Sequence, residues 1–532
     1  METLLIVLLL IAWALYTAIR VKRNVHMLQL NSYRNERYFR WMKGTPLKAF
    51  RFVDLVPVLA LVALPFSEAM SFYVMSAIAV ILFALLTVMR PQFEEKKKLV
   101  YTPRVKRLLA AIAILYVLFA ICAVWISSGD SFSMAALIAL LTIATFIAYF
   151  FVMIANVITL PIESQINQYY FHDAERIVRG MPHLEVIGVT GSFGKTSTKH
   201  ILKDVLSSKY NVLMTPESYN TKMGVTRTIR EHLKPYHELF IAEMGAKQEH
   251  DIEEICTLVN HKYGIVTAIG EQHLETFKTL DTIKKTKFEI VETLPHDGTA
   301  FLNKDDENIQ SYQQMNNVRT MYYGIDAEDL HYRATDISYS GKGTTFTVHK
   351  YDGTSAEIQT KLLGRHNIYN ILAAIAIGAE KNIPLETIAR AIKGVAPVKH
   401  RLELKKTSDT LTIIDDSFNS NPTGSKMAVE VLGYMPEKKV LITPGMIELG
   451  DKEYELNKRL GMHAAEVCDY IILVGKKQTV HLQDGLKEAG YPEEQYHVAS
   501  NLQEALDVMR KVTASEPSVV LLENDLPDTF LE

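Results

Sequence analysis

A glycine-rich segment between an apolar run and a predicted helix is the strongest chemical signal in this sequence. After a predicted buried strand at residues 184–189 and Thr190, the segment reads Gly191, Ser192, Phe193, Gly194, Lys195, Thr196, Ser197. Glycines let backbone N–H groups approach a phosphate, and the helix that begins here adds partial positive charge. Lys195 is expected to reach the β- and γ-phosphates of a nucleotide, and the Thr196 hydroxyl to bind Mg²⁺. The pattern predicts ATP and Mg²⁺ as ligands, although Val189 stands where the full Walker pattern has its first glycine.

A carboxylate at the end of a second apolar run supports the same chemistry. Residues 239–242 predict a buried strand, and Glu243 follows them directly. A strand-end acid near a phosphate loop supplies a second oxygen ligand for Mg²⁺. An ordinary glutamate at the end of a strand is the alternative interpretation.

Length and composition indicate which elements position these residues. A chain of 532 residues suggests about three units. Long apolar stretches dominate before residue 160, whereas the remainder alternates apolar strands with helices, as α/β proteins do. The net charge of −3, with no basic stripe in that remainder, argues against nucleic acid as a partner. The cysteines are too far apart for a zinc ribbon and indicate a reducing compartment; they are Cys122, Cys256 and Cys468.

The part of the chain before residue 160 predicts a multi-pass membrane region of about five spans. The apolar stretches are residues 4–19, 53–66, 72–89, 108–126 and 132–158. Residues 20–51 and 90–107 are rich in Lys and Arg, whereas the two short turns between the other stretches carry neither. Because basic loops face the cytoplasm, the N-terminus is expected outside the cell and everything after residue 160 inside it. Asp54, near a predicted membrane end, is expected to be solvated.

Several separated motifs over residues 184–525 resemble, in order, those of the Mur ligase family. The string TGSFGKTS is similar to the family's TGxxGKT loop, and His273 and Lys287 stand at the spacing of the family's histidine and KxE lysine. The resemblance implies that Lys287 is carbamylated and becomes an anionic metal ligand, with His273 as another ligand. Asn220 lies in a segment similar to one with an asparagine before a glycine, which implies a substrate contact.

The resemblance continues to a second nucleotide-binding region. Asn303 belongs to an NxDD segment and Asn367 to a GxHNxxN segment, and in the family both lie by the nucleotide. Arg401 corresponds to the family's GR arginine, with His400 in place of the glycine.

Two motifs place the last domain in the same family. Residues 415–422 are similar to DDSYNANP and residues 445–450 to GxMxELG. The resemblance implies that this domain closes onto the nucleotide, where Arg401 contacts the γ-phosphate, Asp416 the ribose and Asn419 the substrate.

The predicted fold has four parts. An α-helical membrane region (1–160) leads through an amphipathic connector (161–183) to a P-loop α/β central domain (184–394), and a Rossmann-like α/β domain (395–532) follows.

The predicted function is ATP-dependent amide formation through an acyl phosphate, joining an amino acid or dipeptide to a carboxylate of a cell-wall-type precursor. Membrane spans stand where the family has its uridine-binding domain, so the acceptor is either nucleotide-linked or lipid-linked. Residues 522–526 replace a basic KGSR-type segment and exchange cation for anion where the incoming amino compound is expected to bind, which leaves the identity of that compound open as well. A poly-amino-acid or folate-like glutamate ligase is one alternative, and a membrane-anchored P-loop regulator is another.

Overall fold

The computed structural model describes residues 2–44, 51–65, 68–89, 98–128, 133–340, 343–408, 410–418, 421–447 and 449–525. Two compact units divide this chain: one ends at Gln168, and Tyr169–Asp525 form the other. The predicted boundary at residue 160 and the predicted connector fall largely within one long helix, Ala148–Arg179.

The first unit is helical. Its α-helices are α1 (Glu2–Leu30), α2 (Asn35–Gly44), α3 (Glu68–Val88), α4 (Pro103–Ser127), α5 (Met134–Phe146) and α6 (Ala148–Arg179), and a 3₁₀ helix covers Phe52–Ala63. Within the described ranges, the helices long and apolar enough to cross a membrane are Glu2–Leu30, Met70–Val88, Pro103–Ser127 and Ala148–Arg179. The two shorter apolar helices are Phe52–Ala63 and Met134–Phe146.

The predicted apolar stretch 132–158 is two helices that meet at Ile147. The Thr145 hydroxyl donates back to the Leu141 carbonyl at 3.1 Å, and the Trp13 indole of α1 donates to the same carbonyl at 2.8 Å. Side-chain hydrogen bonds to helix carbonyls bend helices, which accounts for the break.

Asp54 is buried rather than solvated, so that expectation was wrong. It lies in the 3₁₀ helix with 0% of its side chain exposed, and Arg20 of α1 approaches it at 2.7 Å. The Tyr16 hydroxyl donates to the same carboxylate. A carboxylate can be buried here because a cation and a hydroxyl compensate its lost hydration. Both partners lie more than 30 residues earlier in the chain, so the sequence around Asp54 did not indicate them.

The second unit begins with a nine-stranded sheet. Its strands are β1 (Glu185–Thr190), β2 (Val212–Met214), β3 (Leu239–Glu243), β4 (Tyr263–Val266), β5 (Thr299–Asn303), β6 (Arg319–Gly324), β7 (Tyr332–Ser340), β8 (Gly343–Lys350) and β9 (Ser355–Thr360). The spatial order is β2-β3-β1-β4-β5-β6-β7-β8-β9. Every pairing from β2 to β7 is parallel, and β7, β8 and β9 pair antiparallel. The accompanying helices are α7 (Lys195–Leu206), α8 (Lys222–His232), α9 (Asp251–Val259), α10 (Leu274–Phe277), α11 (Leu280–Glu292), α12 (Glu307–Gln310), α13 (Arg365–Glu380) and α14 (Leu385–Gly394).

The parallel strands are apolar on both faces. In β1, Val186 belongs to one buried cluster, whereas Ile187 and Val189 belong to a second cluster. Successive strand residues point to opposite faces, so helices cover both sides of the sheet. This is the doubly covered α/β layer that the sequence predicted.

A six-stranded sheet forms the C-terminal domain. Its strands are β10 (Glu403–Lys406), β11 (Leu411–Asp416), β12 (Lys438–Thr443), β13 (Tyr470–Val474), β14 (Tyr496–Ala499) and β15 (Ser518–Glu523), in the order β10-β11-β15-β12-β13-β14. All pairs are parallel except β10 with β11. Its helices are α15 (Pro422–Gly433), α16 (Glu453–Val467), α17 (Val480–Glu488) and α18 (Leu502–Val512). The doubly wound α/β sheet predicted for this domain is therefore present.

Candidate active site

The glycine-rich segment forms a tight loop between β1 and α7. Gly191 has φ +150° and Gly194 has φ +83°, and a Cβ on Gly191 would collide with the Thr267 side chain. The Ser192 amide donates to the Ala268 carbonyl at 2.7 Å, and the Ser192 hydroxyl donates to the Gly270 carbonyl at 2.9 Å. The loop therefore needs glycine at both positions, and the segment after β4 holds it in place.

Lys195 begins α7 and folds back over its own loop. Its Nζ donates to the Gly191 carbonyl at 2.6 Å and to the Ser192 carbonyl at 3.2 Å. Burial, with the positive charge of Arg401, lowers the pKa of Lys195 to about 8, against the opposing charge of Glu243. The cation thus lies at the mouth of the loop.

Glu243 ends β3 and is the centre of a buried polar cluster. It accepts hydrogen bonds from Thr196 Oγ1 at 3.1 Å and from Asn220 Nδ2 at 3.0 Å. Lys199 Nζ lies 2.9 Å from its second oxygen, and both side chains are almost completely buried. Burial alone would raise the pKa of Glu243, but Lys199 and Lys195 outweigh it and hold that pKa below its usual range.

Lys199 is the residue of this cluster that the sequence analysis did not select. Its amine also donates to the Glu217 carbonyl at 2.6 Å. Its position one turn after Lys195 is the only sequence signal, because i and i+4 share a helix face.

Lys287, on α11, is a buried lysine that contacts no charged partner among the residues that the structure describes. Its side chain is 2% exposed, and among the described residues its amine makes no hydrogen bond or ion pair. Burial, with the charge of Lys195, lowers the pKa of the Lys287 amine to about 7. An amine in this setting is largely neutral near physiological pH.

His273 lies in the segment that follows β4, just before α10. Its backbone is left-handed, with φ +52°, and its side chain is half-buried. The same segment carries Glu271, which forms an ion pair with Lys452 of the C-terminal domain. The segment therefore touches both the phosphate loop and the C-terminal domain.

Arg401 precedes β10, and Asp416 ends the neighbouring β11. Asp416 Oδ1 accepts the Leu402 amide at 3.1 Å, and the Arg401 guanidinium lies over the Phe418 ring at 4.9 Å. Burial, with the negative charge of Glu523, raises the pKa of Asp416 to about 7 although Arg401 opposes it. Because Arg401 also lowers the pKa of Lys195, the two cations are electrostatic neighbours.

The predicted nucleotide-side asparagines are buried and hydrogen-bonded. Asn303 Nδ2 donates to the Thr267 carbonyl at 3.4 Å, and Asn367 Nδ2 donates to the Leu363 carbonyl at 2.9 Å. Asn370 links Asn367 to Thr198 of α7 at 3.2 and 3.0 Å. These contacts fix the segments around the loop.

The remaining predicted residues fall into two groups. Phe193 and Ser197 are half-buried in the loop and at the start of α7. Asn419 lies outside the described residues, so its predicted contact stays a prediction.

Glu523, an anion in the segment 522–526 that replaces the basic KGSR-type motif, faces the interior of its domain. Glu523 is 1% exposed and accepts a hydrogen bond from Ser425 Oγ at 2.6 Å and another from Thr443 Oγ1. The carboxylate is therefore not presented at the surface to an incoming amine, and its charge acts on Asp416 instead.

The oxygen donors around Glu243 fit a magnesium ion. Mg²⁺ prefers carboxylate and hydroxyl oxygens, and the Thr196 hydroxyl and the Glu243 carboxylate supply both within 3.2 Å of each other. Three cationic side chains lie around these donors, and their positive charge suits a triphosphate. They are Lys195, Lys199 and Arg401.

Family models match this part of the chain. The Mur ligase middle domain matches residues 189–378, and the Mur ligase glutamate ligase domain matches residues 400–523.

Curated relatives and solved structures agree with these matches. Over 307 residues the chain is 33% identical to the UDP-N-acetylmuramoyl-tripeptide–D-alanyl-D-alanine ligase of Bacillus subtilis (strain 168), which covers 57% of this chain and 65% of that enzyme. The enzyme of the same name from Escherichia coli (strain K12) is 32% identical over 302 residues, covering 56% and 66%. The crystal structure of MurF from Acinetobacter baumannii matches with a TM-score of 0.61 at 25% identity, over 68% of this chain and 78% of that one. The chain thus spans a little under two thirds of the length of these curated relatives.

Proposed function

Since this chain belongs to the Mur ligase family through residues 189–378 and 400–523, we propose that it is an ATP-dependent ligase that joins a carboxylate to an amine. The observation that carries the proposal is the convergence of Lys195, Glu243, Lys287 and Arg401 around one phosphate loop.

ATP is the phosphoryl donor in the proposed reaction. The acceptor carboxylate attacks the γ-phosphorus, the bond to the β,γ-bridging oxygen breaks, and ADP and an acyl phosphate form. The amine then attacks the acyl carbon, phosphate leaves, and the amine loses a proton. No protein nucleophile is required, because the work is positioning and charge stabilisation.

Each cation has a defined task in this scheme. Lys195 neutralises negative charge at the β- and γ-phosphates, and Arg401 contacts the γ-phosphate from the C-terminal domain. Asp416 and the asparagines Asn303 and Asn367 lie around the nucleoside. Asn220 orients Glu243 through its 3.0 Å hydrogen bond.

Thr196 and Glu243 would hold Mg²⁺, with His273 as a further ligand. When bound, the ion supplies positive charge beside the transferred phosphoryl group. The oxygen set described above supports this assignment.

Lys287 would be carbamylated. Carbamate formation needs a neutral amine to attack carbon dioxide, with loss of one proton. A 2% exposed amine with no hydrogen bond to the described residues meets that need. The product is an anion beside Lys195, so a neutral amine is replaced by a group that forms a favourable ion pair with that cation.

The relatives' names suggest the substrates. Those enzymes are named for joining D-alanyl-D-alanine to a UDP-N-acetylmuramoyl tripeptide, and we propose the same class of amide bond here.

A lipid-linked acceptor is a second candidate, and the helical unit favours it. Only 17% of the most apolar window of α4 is buried, and its exposed apolar residues include Ile114, Leu118, Ile121 and Trp125. A bilayer would cover this surface, and confinement to a membrane raises the local concentration of a lipid-borne acceptor.

Phosphate release by the purified full-length protein tests the ligase proposal. With ATP and Mg²⁺, release should require both a carboxylate and an amine, and Lys195→Ala should abolish it. Lys203→Ala, on the solvent side of the same helix, is the matched control and should leave release unchanged. Release that needs neither substrate would instead support a P-loop regulator.

The acceptor is tested by offering soluble nucleotide-linked and lipid-linked peptide precursors in parallel to protein in vesicles. A strong preference for the lipid-linked form is expected if the membrane presents the acceptor. Equal or better use of the soluble precursor would assign the ordinary D-alanyl-D-alanine-adding reaction.

A further inference from the structure

Arg401 stands in an unusual backbone bend. The residues on either side of it are left-handed, His400 with φ +60° and Leu402 with φ +46°. Left-handed conformations are unfavourable for residues with a Cβ, and glycine adopts them most readily. The sequence has His400 where the family pattern has glycine, so the bend is kept here without the residue that adopts it most easily.

The His400 side chain is held by a charged anchor. Its Nδ1 lies 2.8 Å from Asp415 Oδ2, and the Ser417 hydroxyl lies 3.4 Å from the same nitrogen. Asp415 is itself fixed by Lys405 Nζ at 2.6 Å and by the Ser417 hydroxyl at 2.6 Å. The anchor is therefore a buried, fully engaged carboxylate on β11.

The His400 backbone is tied to the same strands. Its amide donates to Glu403 Oε2 at 3.2 Å, and its carbonyl accepts the Phe418 amide at 3.4 Å. His400, Glu403 and Asp415 have ligand atoms close enough for a metal ion. Lys405 Nζ, 3.1 Å from Glu403 and 2.6 Å from Asp415, already supplies the positive charge there.

The bend determines where the guanidinium goes. Leu402 donates its amide to Asp416, the residue after the anchor Asp415. Both ends of the bend are thus fastened to the end of β11, and Arg401, between them, lies close enough to interact electrostatically with Asp416, Glu243 and Lys195.

We propose that His400 is a positioning residue for Arg401: its imidazole, held on Asp415, keeps residues 400–402 in the left-handed bend that brings Arg401 to the bound nucleotide. The inference rests on the proposed contact of Arg401 with the γ-phosphate. It predicts that His400 acts only through Arg401.

The test measures affinity of the full-length protein for a fluorescent ATP analogue with Mg²⁺, together with kcat and KM for ATP. His400→Ala should weaken nucleotide binding by about tenfold, the loss expected for one charge-assisted hydrogen bond. His497→Ala is the matched control, because His497 also pairs with a carboxylate, Glu504 at 3.1 Å, on the same domain. His497→Ala should leave the affinity, kcat and KM unchanged.

A double substitution separates positioning from a general structural role. Arg401→Ala should weaken binding by itself, and adding His400→Ala should then change nothing further. His400→Gly removes the anchor but adopts the left-handed bend more readily than alanine does, so its loss of binding should be smaller than tenfold and absent when Arg401→Ala is also present; it is the second variant if the alanine variant folds poorly.

Two results would overturn the inference. One is nucleotide affinity of His400→Ala equal to that of His497→Ala. The other is a loss of binding on His400→Ala that is as large in a protein that also carries Arg401→Ala as in one that keeps Arg401. The same conclusion holds if Arg401→Ala alone leaves binding unchanged while His400→Ala weakens it. If instead binding responds as expected but no carboxylate and amine pair is ligated, the proposed function fails and the positioning role of His400 stands.

Discussion

At the scale of single residues, the ion pair between Lys199 and Glu243 stabilises the centre of the candidate site. Both side chains are almost completely buried, with Nζ and Oε2 2.9 Å apart. Lys199 therefore provides the positive charge that a buried carboxylate needs.

Lys199→Met should destabilise the protein by about 3 kcal/mol, because it leaves Glu243 buried and without its cation. Mg²⁺ should raise the unfolding temperature of this variant more than that of the wild type, since the ion restores the missing charge. Thermal unfolding with and without Mg²⁺ measures both effects, and Lys203→Met on the same helix is the control. An equal response to Mg²⁺ in all three proteins would remove Glu243 from the metal site.

Lys287→Ala should lose ligase activity, and a short-chain carboxylic acid should restore part of it, because the proposed carbamate acts as a carboxylate. Rates measured with increasing acetate test this, with the exposed Lys285→Ala as control. Full activity of Lys287→Ala would exclude this residue from the site.

Asp416 makes stability depend on pH. In an unfolded chain an aspartate ionises near pH ~4, whereas burial raises the pKa of Asp416 to about 7 in the folded protein. Between these two pH values the folded state holds a proton that the unfolded state has lost, so the free energy of unfolding falls as the pH rises to about 7 and stays low above it. The total fall is about 1.4 kcal/mol for each pKa unit between the folded and unfolded values.

Asp416→Asn cannot ionise, so its unfolding temperature relative to wild type should be higher at pH 8 than at pH 5. Asp507→Asn, at an exposed position of α18, is the control. A difference from wild type that is the same at both pH values would contradict the pKa assigned to Asp416.

The structure brings several predicted site residues together and adds partners that the sequence did not predict. Lys195, Thr196 and Glu243 lie together because the loop after β1 and the end of β3 meet at one edge of the sheet. The partner Lys199 has an ordinary position in a helix, and only the fold brings Glu243 to it. Asp54 was misjudged for the same reason, because its cation Arg20 is on another helix.

At the scale of elements, runs of apolar residues predicted the parallel strands well. The predicted strand 239–242 coincides with β3 except for its last residue, Glu243, and the predicted strand before the phosphate loop is shifted by one residue relative to β1. The antiparallel strands β7, β8 and β9 were not predicted, because their polar side chains alternate with apolar ones and no motif marks them. The break at Ile147 was missed because one of the two hydrogen bonds that bend the chain there comes from Trp13, which lies on another helix.

Two glycines set the distance between α16 and α17. A Cβ on Gly485 would collide with the Lys458 carbonyl, and a Cβ on Gly461 would collide with the Leu482 carbonyl. The helices touch backbone to backbone, and no side chain can yield there.

Gly485→Ala should therefore lower the free energy of unfolding by about 1 to 3 kcal/mol, the usual cost of overpacking. Chemical denaturation measures it. Gly394→Ala, at the end of α14 where a Cβ meets open space, is the control and should cost little. If both variants are equally stable, the close approach of these helices is wrong.

At the scale of the whole molecule, charge and helix length together determine how the chain would cross a membrane. Residues 20–51 and 90–107 are basic, which places both on the cytoplasmic side. The apolar chain between them must then cross twice, through Phe52–Ala63 and Met70–Val88.

The 3₁₀ conformation of Phe52–Ala63 makes the first of these crossings possible. Its 12 residues rise by ~2.0 Å each, which gives about 24 Å, whereas an α-helix of equal length would reach only ~18 Å. The longer value approaches the ~30 Å of a bilayer core. Asp54 can lie within such a segment because Arg20 and Tyr16 compensate its charge.

Two further crossings follow, one through Pro103–Ser127 and one through Met134–Phe146 with the start of Ala148–Arg179. Together with Glu2–Leu30 this would give an odd number of crossings, and we expect the N-terminus outside the cell and the Mur ligase domains in the cytoplasm. A fluorescent protein fused after Glu532 should therefore be fluorescent, and alkaline phosphatase at the same position should be inactive. The matched control is alkaline phosphatase fused after Ser128, at the outer end of Pro103–Ser127, where it should be active. Active phosphatase after Glu532 would mean that one of these crossings is missing. Phe52–Ala63 would then be reassigned to the membrane surface, because it is the shortest of the predicted spans.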